Sequence, residues 1–352
     1  MPQLDHQDKT IAQIIAELTH GTAEQIEPYL DHPDVYLRVV LAGMPQLSRE
    51  QVTRLANDNN HLIRISTCSR KNLPLDLQHQ LARDRMLVRE ALAKNSSLAP
   101  EIMELLFSYS VEMISGRLAA NPSCSTDLQL RLAMSGGKPA LRALAKRSDI
   151  TPALGNTLFK AAVDHDSTND PVEMRHTTIV ALANNPATPS DLLTQLATSV
   201  QLSKPLKTFI NEALLDNPNT PHDLLRGLQS TYLRGHVNRR SVLASTPHTP
   251  LLTLARLASS DKSLLVRQKA TETLERITDH IIETQLASGT LSLNQTGSTS
   301  KKTLGDCLLQ LDMTALYQRI QGLELTRSIE HALQATPVEL TTPASSALRR
   351  RL

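Results

Sequence analysis

Apolar residues along this chain come in short helical sets separated by polar turns, and one arrangement recurs. Over residues 182–197 the order is Leu182-Ala183, then Asn184-Asn185-Pro186, then Thr188-Pro189, then Leu192, Leu193 and Leu196. The last three stand at i, i+1 and i+4, which places them on one face of a helix. The arrangement returns at Leu214–Leu228, in a more degraded form at Leu243–Leu257, and upstream at Leu118–Leu132. Each copy predicts a helix ending near the Asn-Pro step and a second helix starting after the Thr-Pro step. Proline disfavours helical geometry in the residue before it, and asparagine tolerates the turn. The Thr188 hydroxyl is expected to accept an amide of the next first turn, with Pro189 at the first helical position and Asp191 favouring the helix dipole.

Counting fixes a register. The leucine equivalent to Leu196 recurs as Leu30, Leu55, Leu81, Leu106, Leu132, Leu158, Leu196, Leu228 and Leu257, at intervals of 25, 26, 25, 26, 26, 38, 32 and 29 residues. Fourteen residues before each, from the second copy on, leucine stands at seven of eight places, and alanine follows at six of eight. A large residue beside a small one is what close packing between neighbouring helices requires. A single helix pair cannot bury such a stripe alone, so the copies must stack.

These residues resemble the leucine-rich repeat variant family, whose units carry an Asp-rich turn, a Val-Arg pair and an Asn-Pro-x-Thr-Pro-x-x-Leu-Leu-x-x-Leu-Ala core. Matching pieces are Asp34-Val35-Tyr36-Leu37-Arg38, Leu62-Ile63-Arg64, Leu87-Val88-Arg89 and Leu264-Leu265-Val266-Arg267, with the best cores at Asn121, Asn185 and Asn217. The resemblance runs from Thr22 to Arg267. It implies a right-handed superhelix of short helices related to HEAT-type solenoids, and little about activity. One branch of the family carries an N-terminal four-cysteine iron–sulfur segment. Here the cysteines are Cys68, Cys124 and Cys307, far apart and read as reduced thiols, so no cofactor is expected.

The layout that follows has four parts. Residues 1–20 hold a short amphipathic run, Ile11–Leu18, read as an N-terminal capping helix. Residues 21–286 form the repeat solenoid, with a flexure at Gly136-Gly137-Lys138-Pro139 and a last long helix from Leu264 to about Leu286. Residues 287–302 are apolar-poor and predict a flexible linker. Residues 303–352 recover helical periodicity and end in the basic tail Arg349-Arg350-Arg351-Leu352. The acids Asp164, Asp166 and Asp170 occupy the longest insertion, but the central glycine and terminal glutamate of a calcium loop are missing, so a polar surface loop is expected and no metal. The fold class is therefore all-α, a right-handed α-solenoid of about nine short two-helix repeats with a small C-terminal helical element.

Composition narrows the chemistry. A formal charge of +2 gives no global field directed at nucleic acid or membrane. Five tyrosines, three phenylalanines and no tryptophan leave little for base stacking. No stretch is apolar enough to span a membrane, and no signal peptide is evident. Glycine-rich phosphate loops, Gly-x-Ser-x-Gly, His-Glu-x-x-His and Cys-x-x-Cys are all missing. Iron-dependent hydroxylases of HEAT-like build use His-Glu pairs, which this chain lacks. DNA glycosylases of the alkyl-purine class use aromatics over a basic face, which are scarce here.

The sequence is thus read as a cytoplasmic, bacterial, non-enzymatic scaffold that presents an extended concave helical surface to another protein or peptide. The alternative is a nucleic-acid-binding repeat protein using Arg38, Arg64, Arg89, Arg234, Arg239, Arg240 and Arg267. Four of these, Arg38, Arg64, Arg89 and Arg267, follow an acid at short range (Asp34, Asp58, Asp84 and Asp261), and the first three stand four residues before a small residue. A ladder of Arg–Asp contacts across successive turns is therefore the structural expectation for this register.

Overall fold

Thr10 opens the first helix, α1 (Ile11–Leu18), with a capping box: its hydroxyl accepts from the Gln13 amide while the Gln13 side chain accepts from the Thr10 amide. A short α2 (Ala23–Ile26) follows. Helices then alternate as α3 (Val35–Gly43), α4 (Arg49–Ala56), α5 (His61–Cys68), α6 (Leu75–Leu81), α7 (Met86–Ala93), α8 (Pro100–Ser108), α9 (Glu112–Ala120) and α10 (Thr126–Ser135). They continue as α11 (Gly137–Leu144), α12 (Pro152–His165), α13 (Pro171–Met174), α14 (Thr178–Asn184), α15 (Ser190–Thr198) and α16 (Lys204–Asp216). We call the helices that end in the Leu-Ala step A helices (α3, α5, α7, α9, α11, α14, α16) and those that follow B helices. The computed structural model describes residues 9–165, 170–297 and 300–335. Asp166, the basic tail from Arg349 and the first eight residues lie outside the described residues.

The repeat register is also the burial register. Leu41, Leu92, Leu118, Leu144, Leu182 and Leu214 are completely buried, as are Ala42, Cys68, Ala93, Ala119, Ala145 and Ala183 beside them. The B-helix leucines Leu55, Leu81, Leu106, Leu132, Leu158 and Leu196 are buried as well. Each such leucine contributes roughly 1.5–3 kcal/mol by leaving water. The small residue lets consecutive A helices pack directly, α3 on α5, α5 on α7, α7 on α9, α9 on α11, and α14 on α16. At Gly116 of α9 the approach to α11 leaves no room for a side chain: a Cβ there would meet Pro139 Cβ at 2.8 Å.

By its contacts the chain divides into two units at Pro221/His222. The second holds α17 (His222–Leu233), α18 (Val237–Ser245), α19 (Leu251–Ser260), α20 (Leu264–Glu275), α21 (Asp279–Ala287), the strands β1 (Thr296–Gly297) and β2 (Ser300–Thr303), α22 (Leu304–Gln310) and α23 (Thr314–Ala335). In it α18 packs on α20, α22 on α19, and α23 on α21. The described residues are all-helical apart from the antiparallel β1–β2 hairpin.

Several expectations are corrected. The C-terminal element is part of the second unit, where it buries Leu304, Cys307 and Leu308 with α22 seated on α19. Within the segment expected as a flexible linker, the stretch around Leu291–Leu293 is packed: both leucines are buried, and the Gly305 amide donates to the Leu293 carbonyl. The long helix expected from Leu264 to about Leu286 breaks at Arg276–Thr278 into α20 and α21. The glycine pair is a tight reversal rather than a hinge: Gly137, at φ +69°, turns α10 directly into α11. The register leucine Leu228 is only half-buried, and in α17 the buried side chain is Tyr232.

The Thr-Pro step also works differently from expectation. Pro189 is the N-cap of α15 and makes no side-chain cap bond. The Thr188 hydroxyl instead donates backwards to the Leu182 carbonyl at 2.7 Å, and Thr220 and Thr249 do the same to Leu214 and Leu243. These threonines satisfy the last carbonyls of the A helix, not the first amides of the B helix. Asp191 does sit in the first turn of α15.

Candidate interaction surface

The recurring arginines are the first candidates, and most are occupied. Arg38 grips the Asp58 carboxylate through Nε at 2.8 Å and Nη2 at 3.3 Å. Arg64 grips Asp84 in the same way, at 2.5 and 3.0 Å. Each acid lies 20 residues after its arginine, in the turn that leads into the next A helix. The ladder expected from the sequence therefore exists, with its partner shifted. The acid preceding an arginine offers that arginine its backbone, and its carboxylate serves the previous repeat: Arg64 Nη1 donates to the Asp58 carbonyl at 2.6 Å. Burial raises the Asp84 carboxyl, but the Arg64 fork and the Arg85 amide outweigh it and hold the group below the ordinary carboxylate range.

The second unit repeats the geometry. Arg240 binds Asp261 through two nitrogens, at 2.7 and 3.1 Å, and Arg267 donates to the Asp261 carbonyl. Arg89 ends the series in the first unit. Twenty residues on stands Tyr109, and the Arg89 guanidinium lies over its ring at 4.5 Å with Nε buried and no acceptor among the described residues. Arg239 lies over Tyr232 at 5.7 Å, and Arg234 bonds the Ser230 hydroxyl and carbonyl. From sequence these seven form one set; the structure separates an ion-pair ladder from two ring contacts and one exposed side chain.

A second ladder, not anticipated from sequence, runs at the other end of the A helices. Asn121 Nδ2 donates to the Ala93 and Asn95 carbonyls of the preceding repeat, at 2.9 and 2.8 Å, while its Oδ1 accepts from the Ser123 amide. Asn95, Asn185 and Asn217 make the same three bonds. Arg70 and Arg147 occupy the equivalent positions and reach the same pair of carbonyls with Nη1. Arg147 also forks onto Asp149, which holds that carboxyl below its usual range. These asparagines explain why the Asn-Pro step recurs: the side chain carries the contact between repeats.

With these residues occupied, the exposed face of the A helices becomes the site. The second residue of each of four consecutive A helices is a large apolar side chain open to solvent: Tyr36 (65% exposed), Leu62 (47%), Leu87 (49%) and Met113 (47%). One turn further along, Val40 of α3 and Ile65 of α5 are half-buried. On α9 and α11 the same face turns cationic. A cleft of about 440 Å³ is lined by Met113, Gly116 and Arg117 of α9, by Pro139 and Arg142 of α11 and by Lys146 in the turn after it. A second, of about 510 Å³, shares Arg142 and Lys146 and reaches Arg175, His176 and Asn184.

The cations of this region differ in their partners. Arg117 pairs with Glu90 at 2.9 Å. Arg175 lies over Phe209 at 4.6 Å, near Glu212, whose carboxyl burial pushes up against the opposing Arg175 charge. Arg142 and Lys146 have no ion pair among the described residues, and Arg142 Nε is buried without an acceptor there. None of Arg117, Arg142, Lys146 or Arg175 was singled out from sequence. A signal existed: once leucine and alanine fix the buried face, positions 113, 116, 117 and 120 of α9 and 139, 142 and 143 of α11 define the opposite one.

The thiols offer no reactive site. Cys68, Cys124 and Cys307 are all buried and free, and burial pushes the Cys68 thiol up to about 12 and Cys124 up to about 11. Among the described residues no helix is long and apolar enough to cross a membrane, and no group of His, Cys, Asp or Glu is arranged to hold a metal ion. Compared with known proteins, the chain matches no family model and no curated protein.

Proposed function

We propose that this protein is a non-enzymatic binding scaffold, a right-handed α-solenoid of about nine leucine-rich-repeat-variant-type units whose A-helix face receives another protein. The observation that carries the reading is the exposed stripe Tyr36, Leu62, Leu87 and Met113, one residue per repeat at a single register. Isolated exposed apolar residues are ordinary, but four aligned on consecutively packed helices make a continuous patch. With A helices about 8–10 Å apart, the stripe extends roughly 24–30 Å. That length suits an extended peptide or one helix of a partner. The nucleic-acid alternative is less well supported, because Arg38, Arg64 and Arg240 are neutralised by Asp58, Asp84 and Asp261.

The test is site-specific photo-crosslinking in the native host. Benzoylphenylalanine in place of Leu62 or Leu87 should yield discrete protein adducts, and the same probe at Asp76 or Glu101 of the B helices should not. Equal adducts from both faces, or adducts removed by nuclease, would overturn the reading.

A further inference from the structure

We infer that the cationic end of the A-helix face binds an acidic, extended segment of a partner protein, its carboxylates on Arg142 and Lys146 and a neighbouring apolar side chain on Met113. This rests on the protein-binding reading above and names the ligand's chemistry. No carboxylate lines either cleft, whereas Arg117, Arg142, Arg147, Lys146 and Arg175 do. Three of these already face an acid: Arg117 has Glu90, Arg147 has Asp149 and Arg175 has Glu212. The two residues shared by both clefts, Arg142 and Lys146, are the two without one among the described residues.

Arg142 is half-buried, and its Nε–H has no acceptor among the described residues. A guanidinium held in that state, with its hydrogen bonding incomplete, is suited to a carboxylate, which can take two of its N–H groups at once. Lys146 follows in the turn just after α11 and is exposed, adding a second charge to the lining of both clefts. The neighbours set the spacing of the ligand. Packed helices lie about 8–10 Å apart and an extended chain rises about 3.3 Å per residue, so one repeat corresponds to about three ligand residues. A segment crossing α9, α11 and α14 would carry acids at about that interval, with an aliphatic or aromatic residue toward Met113 and Leu87.

A phosphate backbone fits less well. It would need cations along the whole face, and on α3 and α5 the face carries Tyr36, Val40, Leu62 and Ile65 instead. A protein segment with an acidic half and an apolar half matches both halves of this surface.

The experiment is selection of a random dodecapeptide phage library on the immobilised full-length protein, followed by fluorescence anisotropy of the enriched peptides. Enriched sequences should be rich in Asp and Glu with at least one large apolar residue. Their affinity should fall at least tenfold in Arg142→Gln/Lys146→Gln and severalfold in Lys146→Gln, an exposed change that cannot disturb packing. It should not change in Lys71→Gln on a different surface. Enrichment of neutral peptides that bind the double variant as well as the wild type would overturn the acidic ligand and leave the scaffold reading standing. No enrichment, with salt-sensitive binding of a 20-nucleotide single-stranded DNA, would overturn both.

Discussion

The arginine ladder and the asparagine ladder both join neighbouring repeats, at opposite ends of the A helix, and only one of them tolerates change in the connections. Arg38 and Arg64 reach acids in the B-to-A turn, at a separation of 20 residues. Asn95, Asn121, Asn185 and Asn217 reach carbonyls at the end of the preceding A helix, at separations of 27, 28, 40 and 34 residues. The insertions near Asp164–Pro171 and Thr198–Pro205 fall in the B-to-A connections of α12 to α14 and α15 to α16. There the arginine register holds Leu141 and Ile179, both buried. An ion pair anchored in a turn needs that turn at fixed length. A side chain that caps the neighbouring helix needs only the two helix ends in register, so the asparagines persist across the insertions.

The ladders also differ in physical kind. Each asparagine is neutral, and its amide group makes all three of its bonds to backbone groups at a helix end. Each arginine pair brings two charges partly out of water and recovers the cost through a bidentate fork. The largest effect should therefore come from the neutral ladder. Asn121→Ala orphans the Ala93 carbonyl and the Ser123 amide and takes one of two donors from the Asn95 carbonyl, and should cost roughly 2–4 kcal/mol in urea unfolding. A loss under 1 kcal/mol would mean that the asparagines are incidental to repeat stacking.

Next in size is the ion-pair ladder. Arg64→Ala removes a fork that is only 13% exposed, together with its stem packing, and should cost about 1–3 kcal/mol. The same pair has a pH signature. Asp84 titrates lower in the folded protein than in the unfolded chain, so its contribution is present above the ordinary value of about 3.9 and is lost as pH falls through the folded value. Asp84→Asn should flatten the acid limb of a stability–pH profile measured between pH 6 and pH 2. An unchanged melting temperature in Arg64→Ala would move that residue to the binding surface.

The smallest effect should be at the end of the series. Tyr109→Leu removes a cation–π contact in place of an ion pair and should cost about 0.5–1 kcal/mol, well under the Arg64 variant. If the two variants are equal, the fork geometry adds nothing over a ring, and the comparison between the ladder and its terminus fails.

Much of the buried architecture was legible because repetition makes the sequence its own alignment. The spacing of Leu41, Leu92 and Leu118 marked one buried face, and Ala42, Ala93 and Ala119 marked where helices meet. The arginine–acid relation was legible as chemistry but not as pairing, since Asp58 precedes Arg64 by six residues and still gives its carboxylate to Arg38. Thr188 was misassigned for a related reason: a hydroxyl between two helices can serve either, and here it serves the preceding one while α15, with Pro189 at its N-cap, has no side-chain cap. The segment at 287–302 looked like a linker because Leu291 and Leu293 are too sparse to form a periodic pattern, yet two leucines suffice when a preformed surface receives them.

By itself, then, the sequence determined that short helices recur, which faces they bury and which residues are small at their contacts, because these are set by local periodicity and side-chain volume. Tertiary structure alone decided which acid each arginine holds, that asparagines join the repeats through backbone carbonyls, and that Arg142 and Lys146 share one cleft without a counter-charge among the described residues. The ladder pairs join residues 20 to 40 positions apart, and the clefts gather side chains from separate helices, where distance along the chain places no constraint on distance in space.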